Sequence, residues 1–527
     1  MGNWDRDAGA RYMRATLYDA RDLFTEVLSE KGTGHTPSPF KVYRDVPRFE
    51  LGRSLPLRLG DARWSFEEFR REAAGGGPGE PVFDAGLLSA LLYYTYGFSR
   101  RDVGPGAVWP FHRFVPSARC LFPTELYVWI PRTGALPPGI YHYDSLHHQV
   151  ELLREGDHRE ELSHVLGADL DGARCVLLFS SLFWKNAYKY HAYSYRLCSQ
   201  EAGMTVGNAL MVGGALGLRG HVHYQFLDER AGGLLGLDLA EENLFAAVPL
   251  YPWEGRDEVR PEPGNPPPGP LTSISPPYAR TEGFEHVHGE LFSSIAGNCL
   301  LRGVSEFGRR GPEPDACPEP SALRPPSPPT ARGTDLAEAL RSRCSGNVLF
   351  NPVSAPLATE EFWEIVRYAM SPVVADLGTA PGLRLYVVVL DVADVPAGVY
   401  RYCTAHEGLH LVGSGDVSLP LQGAIAVPNL NLCASNMVLY VAGDHPAASR
   451  AFGNRAYRIL NMEAGLVAQR ICVMSGAYGL AARIHNGYDA ATVERVLGIE
   501  ESGLTPLFQV AVAHNRPGVQ YGLPILF

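Results

Sequence analysis

The apolar positions of this 527-residue chain fall into runs that read alternately as helix and strand. Residues 87–96 are apolar or aromatic at nearly every position, which predicts a buried helix. Residues 126–130 and 175–180 are apolar runs of strand length, and between them Gly139-x-Tyr141-x-Tyr143 alternates with the period of a strand. From about 187 to 216 the pattern predicts one long helix, tyrosine-rich at its start and then apolar all round, with Gly203, Gly207, Gly213 and Gly214 inside it. Glycine in a helix interior costs about 1 kcal/mol relative to alanine. Four of them predict close approach by another backbone or a flat ligand. Residues 221–226, a short helix ending at Gly236 and a strand over 244–249 complete the series.

The series then occurs again. Tyr195-Arg196, Glu201-Ala202-Gly203, Gly217-Leu218 and Leu235-Gly236 all return 262 residues later, as Tyr457-Arg458, Glu463-Ala464-Gly465, Gly479-Leu480 and Leu497-Gly498. Leu126-Tyr127 and Gly139-x-Tyr141-x-Tyr143 return after 259, as Leu385-Tyr386 and Gly398-x-Tyr400-x-Tyr402. A change of three residues in one loop reconciles the offsets. Register kept over more than a hundred residues marks a duplicated unit. The matching elements of the second copy are a helix at 361–369, strands at 385–390, 437–442 and 507–513, and a long helix at 450–478. Interleaved helices and strands give an α+β class. The two long helices are expected to pack on each other about a pseudo-twofold axis.

The chain divides into an N-terminal extension (1–80), a first repeat (81–252), a Pro-rich arm (253–330) and a second repeat (331–527). The extension has a weak helical pattern at 18–28 and a glycine-rich loop at 74–79. The arm is extended and semi-rigid by composition, with a short docked helix expected within 285–301. Forty-six Lys and Arg against 57 Asp and Glu give a net charge of −11 without blocks, unlike the clustered basic footprint of a nucleic-acid binder. No apolar run reaches the roughly 18 residues of a membrane span, and the first residues lack the apolar core of a signal peptide. Nine cysteines with no C-x-x-C pair read as reduced thiols in the cytoplasm. His147-His148, His221-x-His223 and His286-x-His288 lack partners at metal-ligand spacing, so no metal is expected.

Three pieces carry candidate chemistry. Arg341-Ser342-Arg343 offers two planar guanidinium groups that match phosphate oxygens, unless they are ordinary surface arginines; Arg53-Ser54…Arg58 is a looser rival. Pro116-Ser117-Ala118 is a rigid turn with a hydroxyl and free N–H groups, or simply a loop. Lys189-Tyr190 pairs a base, if its pKa is lowered, with a phenol; the alternative is a lysine laid along an aromatic surface.

Residues 113–127 (RFVPSARCLFPTELY) resemble the Pro-Ser turn and Glu-Leu-Tyr segment of the SagB/McbC-type dehydrogenases, a branch of the FMN-dependent nitroreductase superfamily. The Gly139-Ile-Tyr-His-Tyr143 strand, Lys189-Tyr190 with Tyr193 and Arg196, Glu201-Ala-Gly203, Asn208-Ala-Leu210 and Gly214–Gly217 resemble further motifs of that family in order. Leu340-Arg-Ser-Arg343 resembles the flavin-binding start of nitroreductases. The resemblance implies two tandem nitroreductase-like domains forming a fused pseudo-dimer. It implies FMN, held by Pro116, Ser117, Ala118, Arg196, Asn208, Arg341, Ser342 and Arg343, with Lys189 and Tyr190 catalytic. The implied reaction oxidises azolines to azoles in a ribosomally made peptide, with that precursor peptide and a cyclodehydratase as partners. Nitro or enone reduction by NAD(P)H and a flavin-free scaffold are the other readings. The family has glycine where Arg119 stands and often arginine where Tyr193 stands. At the matching offsets the second copy has Ala375-Asp376-Leu377 for the Pro-Ser turn and Ala451-Phe452 for Lys189-Tyr190, while the Arg pair has no counterpart in the first copy. These complementary losses predict one composite flavin site.

Overall fold

The computed structural model describes residues 2–19, 37–66, 81–103, 109–131, 136–253, 289–308, 333–346, 349–378, 382–516 and 522–525, with isolated positions (23, 69, 107, 271, 272, 274, 277, 278, 323–325) between them. The expected loop at 74–79, His286 and His288, and most of the expected helix at 18–28 and of the Pro-rich arm lie outside the described residues.

Each copy builds one antiparallel sheet. The first contains β4 (Thr124–Ile130), β5 (Gly139–Asp144), β6 (Gln149–Glu155), β7 (Cys175–Leu182), β8 (Leu218–Gly220) and β9 (Glu242–Pro252). With β1 (Arg48–Glu50) on its edge, the order is β1-β6-β5-β4-β7-β9-β8. The second contains β10 (Leu383–Val389), β11 (Gly398–Cys403), β12 (Gly408–Ser414), β13 (Met437–Gly443), β14 (Leu480–His485) and β15 (Thr505–His514), in the order β12-β11-β10-β13-β15-β14. The two orders are the same once β1 is set aside, so the duplication read from the sequence is a duplication of topology.

Two long helices, Ser194–Ala215 and Arg455–Ala477, lie side by side between the sheets. Almost every residue of both is buried, as all-round apolar helices must be. They meet at glycines in a reciprocal way. A Cβ on Gly203 would collide with the backbone of Met462, and a Cβ on Gly465 with the carbonyl of Gln200. Met462 and Gln200 are themselves matched at the repeat offset, so the contact is isologous. Gln200 donates to Asn461 at 3.0 Å and Gln469 to Asn208 at 3.1 Å, one amide pair toward each end of the contact. Gly207 and Gly214 also meet close neighbours, Leu466 and Ser65, whereas Gly213 has ordinary contacts. Gly203→Ala is therefore expected to overpack the crossing and to destabilise the protein by about 1–3 kcal/mol. A urea midpoint equal to wild type would contradict that account of the glycine.

Both long helices begin later than the apolar pattern predicts. Short helices Trp184–Tyr190 and His445–Phe452 precede them, separated by a sharp break. The break falls at matched positions: His191 (φ 42°, ψ −130°) and Gly453 (φ 63°, ψ −146°). In the second copy glycine supplies the positive φ; in the first a histidine holds it.

The terminal segments cross between halves. A helix at Asp7–Leu17, absent from the sequence-based prediction, packs on the second long helix, with Gly9 N–H donating to Asn454 at 2.8 Å. At the other end β16 (Gly522–Pro524) pairs with β2 (Phe98–Asp102) of the first half, which pairs in turn with β3 (Phe111–Arg113). A helix forms at Gly289–Asn298, within the span expected for it. Among the described residues no helix is long and apolar enough to cross a membrane.

Candidate functional site

The Pro116-Ser117-Ala118 turn follows β3 and leads into β4. Ser117 Oγ accepts the Phe122 N–H at 2.9 Å, closing the turn on itself. Between them the backbone is strained: Arg119, Cys120 and Phe122 have φ of 51°, 52° and 50°. A left-handed conformation costs a non-glycine residue about 1–2 kcal/mol. Arg119 thus occupies a glycine-like conformation, which accounts for glycine at this place in the resembling family. Its guanidinium lies near the Tyr190 phenol and opposes the rise of its pKa. Arg119 of the turn and Tyr190 are therefore neighbours.

Lys189 and Tyr190 end the helix Trp184–Tyr190, just before strained His191, and both are partly buried. Burial pushes the Tyr190 phenol up, opposed by Arg119. It stays protonated near neutral pH and serves as a donor, not a base. One turn earlier on the same helix, Lys185 is fully buried. It donates to Glu125 Oε1 at 2.5 Å, to the Phe122 carbonyl at 3.1 Å and to the Pro39 carbonyl at 3.2 Å. Burial alone would raise the Glu125 carboxyl; Lys185 and His142 beside it hold it down at about 2. Burial pulls the Lys185 ammonium down and Glu125 pulls it back. With three acceptors around one cation and two donors on one carboxylate, the pair is ionised. It props the strained turn from below. Glu201, on the first long helix, accepts from Tyr96 at 2.9 Å, and burial pushes its carboxyl up to about 7, opposed by Ser117 and Tyr96 beside it.

The second half reaches this corner. Arg343 is buried and donates to the carbonyls of Phe114 (2.9 Å) and Arg113 (3.1 Å), the two residues that lead into the turn. Arg341, partly exposed, donates to Tyr94 (2.9 Å) and to the Leu57 carbonyl (2.6 Å). Exposed Ser342 lies between them at the helix end. From the end of β14, Asn486 donates to Gln200 Oε1 at 2.6 Å. Asn486 Oδ1 and His485 Nδ1 are buried with no hydrogen-bond partner, as are both ring nitrogens of His223, which matches His485.

The pseudo-symmetric corner is built differently. Asp376, which matches Ser117, accepts the N–H groups of Tyr224 (3.0 Å) and Gln225 (2.9 Å). Val222 forms a parallel bridge with Ala375, and the Tyr224 hydroxyl donates to Glu463. Tyr224 and Gln225 match Asn486 and Gly487. There the loop of one half is bonded to the turn of the other. At the Ser117 corner no acid takes that place, and Ser117 bonds within its own turn.

No family model matches the chain. Along its whole length it superposes on a solved structure from Anabaena variabilis described as a "putative nitroreductase", with a TM-score of 0.71. That match covers 97% of this chain and 99% of the other, at 20% sequence identity. The chain has a nitroreductase-like fold, built twice as a fused pseudo-dimer. A stretch of 155 residues, 28% of this chain, is 27% identical to a "Putative nitroreductase" of Methanocaldococcus jannaschii and spans 78% of that protein. One chain of the E. coli microcin synthetase McbBCD complex with truncated pro-MccB17 matches 31% of this chain and 62% of its own length, at 21% identity and a TM-score of 0.27. A score that low carries no argument about fold.

Within this nitroreductase-like fold two further residues singled out from the sequence are engaged by protein groups. Arg196 is buried and donates to the carbonyls of Thr16 (2.7 Å) and Leu507 (2.6 Å), tying the N-terminal helix to the second sheet. Asn208 donates to the carbonyls of Tyr94 (2.7 Å) and Thr95 (2.8 Å) at the end of the helix Ala85–Tyr96. Sequence reasoning assigned no role to Arg119, Lys185 or Glu201. The one available signal was arginine at a family glycine position.

Proposed function

We propose that the chain is an FMN-dependent oxidoreductase with one composite site, and that it dehydrogenates thiazoline or oxazoline rings of a ribosomally made peptide to azoles. The observation that carries the single-site reading is the difference between the corners: Asp376 ties one shut by accepting the N–H groups of Tyr224 and Gln225, while at the other Ser117 bonds within its own strained turn. Those residues fit a flavin. Pro116, Ser117 and Ala118 from one half and His485, Asn486 and Gly487 from the other would hold its ring and ribityl chain. Arg341 and Ser342 would take the phosphate, with Arg343 fixing the turn against them. FMN, when bound, supplies a two-electron acceptor, and dioxygen returns it to the oxidised form.

The azoline reading rests on Lys189 and Tyr190. Converting an azoline to an azole removes a proton from Cα and a hydride from the ring. Lys189 Nζ receives the proton, and Tyr190, kept protonated by burial, donates a hydrogen bond to the substrate. The precursor peptide and a cyclodehydratase that makes the azoline are the partners this reaction requires.

Flavin released from the purified protein should equal one per chain, and Arg341→Ala should lose it on dialysis. A ratio near two would overturn the composite site, and a colourless protein would favour a scaffold. Incubation with an azoline peptide should yield a product lighter by two hydrogens. Consumption of NAD(P)H with a nitro or enone compound, and no change in the peptide, would instead favour a reductase.

A further inference from the structure

The hairpin of β11 and β12 carries a donor set that the flavin reading does not use. Cys403 ends β11, His406 lies in the turn and His410 is on β12. One ligand atom from each lies within 4.8 Å of the others. We propose that Cys403, His406 and His410 bind one soft or borderline divalent metal ion, of which zinc is the type, with water in the fourth position.

The geometry supports three ligands on one ion. In a tetrahedral site with Zn–S of about 2.3 Å and Zn–N of about 2.0–2.1 Å, a sulfur and a nitrogen stand roughly 3.6 Å apart. Cys403 Sγ and His406 Nδ1 are 3.5 Å apart. In β11–β12 pairing Cys403 is opposite Gly408 and Arg401 opposite His410, so Cys403 and His410 share one face of the hairpin. Cys403 is buried, whereas the two histidines are partly exposed, which leaves a route for the ion. Arg401 opposes a cation; a Cys403 thiolate, formed as the metal displaces its proton, offsets that charge.

The other copy shows what the same hairpin does without such a set. At the repeat offset the three positions are Asp144, His147 and Glu151. His147 pairs with Asp144 at 2.6 Å, and Glu151 pairs with His142 at 2.9 Å. The second copy has exchanged two carboxylates for a thiol and an imidazole, which moves the donors from hard to soft. The competing reading of the 3.5 Å contact is a thiol donating to His406.

The test uses the full chain, reduced and stripped with a chelator, then titrated with Co²⁺ alone. One equivalent should produce the intense visible bands of a tetrahedral ion and a thiolate-to-cobalt charge-transfer band, both abolished by Zn²⁺. Cys403→Ser should remove the charge-transfer band. His406→Ala, a substitution in the turn that leaves the strands intact, should weaken binding at least tenfold. Cys433→Ala, at an exposed thiol elsewhere, should change nothing. Absence of the charge-transfer band in the wild-type protein, or its persistence in Cys403→Ser, would overturn the site. Flavin content plays no part in the readout, so the outcome is independent of the flavin reading.

Discussion

Lys189→Ala is expected to lower turnover roughly 10²–10⁴-fold, the usual loss for a positioned acid or base, while keeping the fold and the bound flavin. Two lysines stand a turn apart on the helix Trp184–Tyr190. Lys185 is inside, its ammonium held by Glu125 and two carbonyls, and is not available to take a proton. Tyr190 is kept protonated by burial. Lys189 is the remaining group of the pair, partly exposed in the last turn of that helix. A pH–rate profile should lose its basic-group limb in the variant. The second copy supplies a control: Ala451 matches Lys189, and Ala451→Lys in the Lys189→Ala background should not restore activity, because Asp376 closes that corner. Wild-type turnover with azole still formed would remove the pair from the mechanism.

The sequence made the duplication, the order of helices and strands along the chain and the glycine contact legible, because each depends on periodicity or on the absence of a side chain. It misplaced the start of both long helices. Gly453 is a conventional break signal, but His191 gives none, since nothing in a histidine announces a positive φ. The N-terminal helix was missed because half of its buried face is small or polar, Ala8, Gly9 and Thr16, leaving Tyr12, Met13 and Leu17 to mark a stripe. The asymmetry at Asp376 was visible as a lost Pro-Ser turn. Its consequence was not, since only the fold shows that the new carboxylate binds the N–H groups of the other half. Lys41, Lys185, Glu125 and Glu242 are isolated charges far apart in sequence, and their pairing in the interior of the first half is a tertiary fact.

That buried pairing carries the largest expected effect on stability. Lys185→Met should destabilise the protein by about 3–5 kcal/mol, because it leaves Glu125 buried with His142 alone beside it. Lys41 does not replace it: its ammonium is held by Glu242 at 2.5 Å and donates to Tyr127 at 2.8 Å. The double variant Lys185→Met/Glu125→Gln should recover most of the loss, since an uncharged pair of similar size carries no desolvation penalty of that kind. The sign of the acid dependence follows from Glu125, held at about 2 when folded against an ordinary value of 4.5. Its contribution is complete above the ordinary value and is lost as pH falls toward 2. Urea unfolding of the wild type should therefore show this loss between pH 4.5 and 2, and Lys185→Met should show less of it. The Phe122 carbonyl also loses its donor in that variant, so the strained turn should loosen and flavin retention should fall with stability. A single variant within 1 kcal/mol of wild type, with an unchanged acid limb, would show that the pair behaves as an exposed one and that the turn does not depend on it.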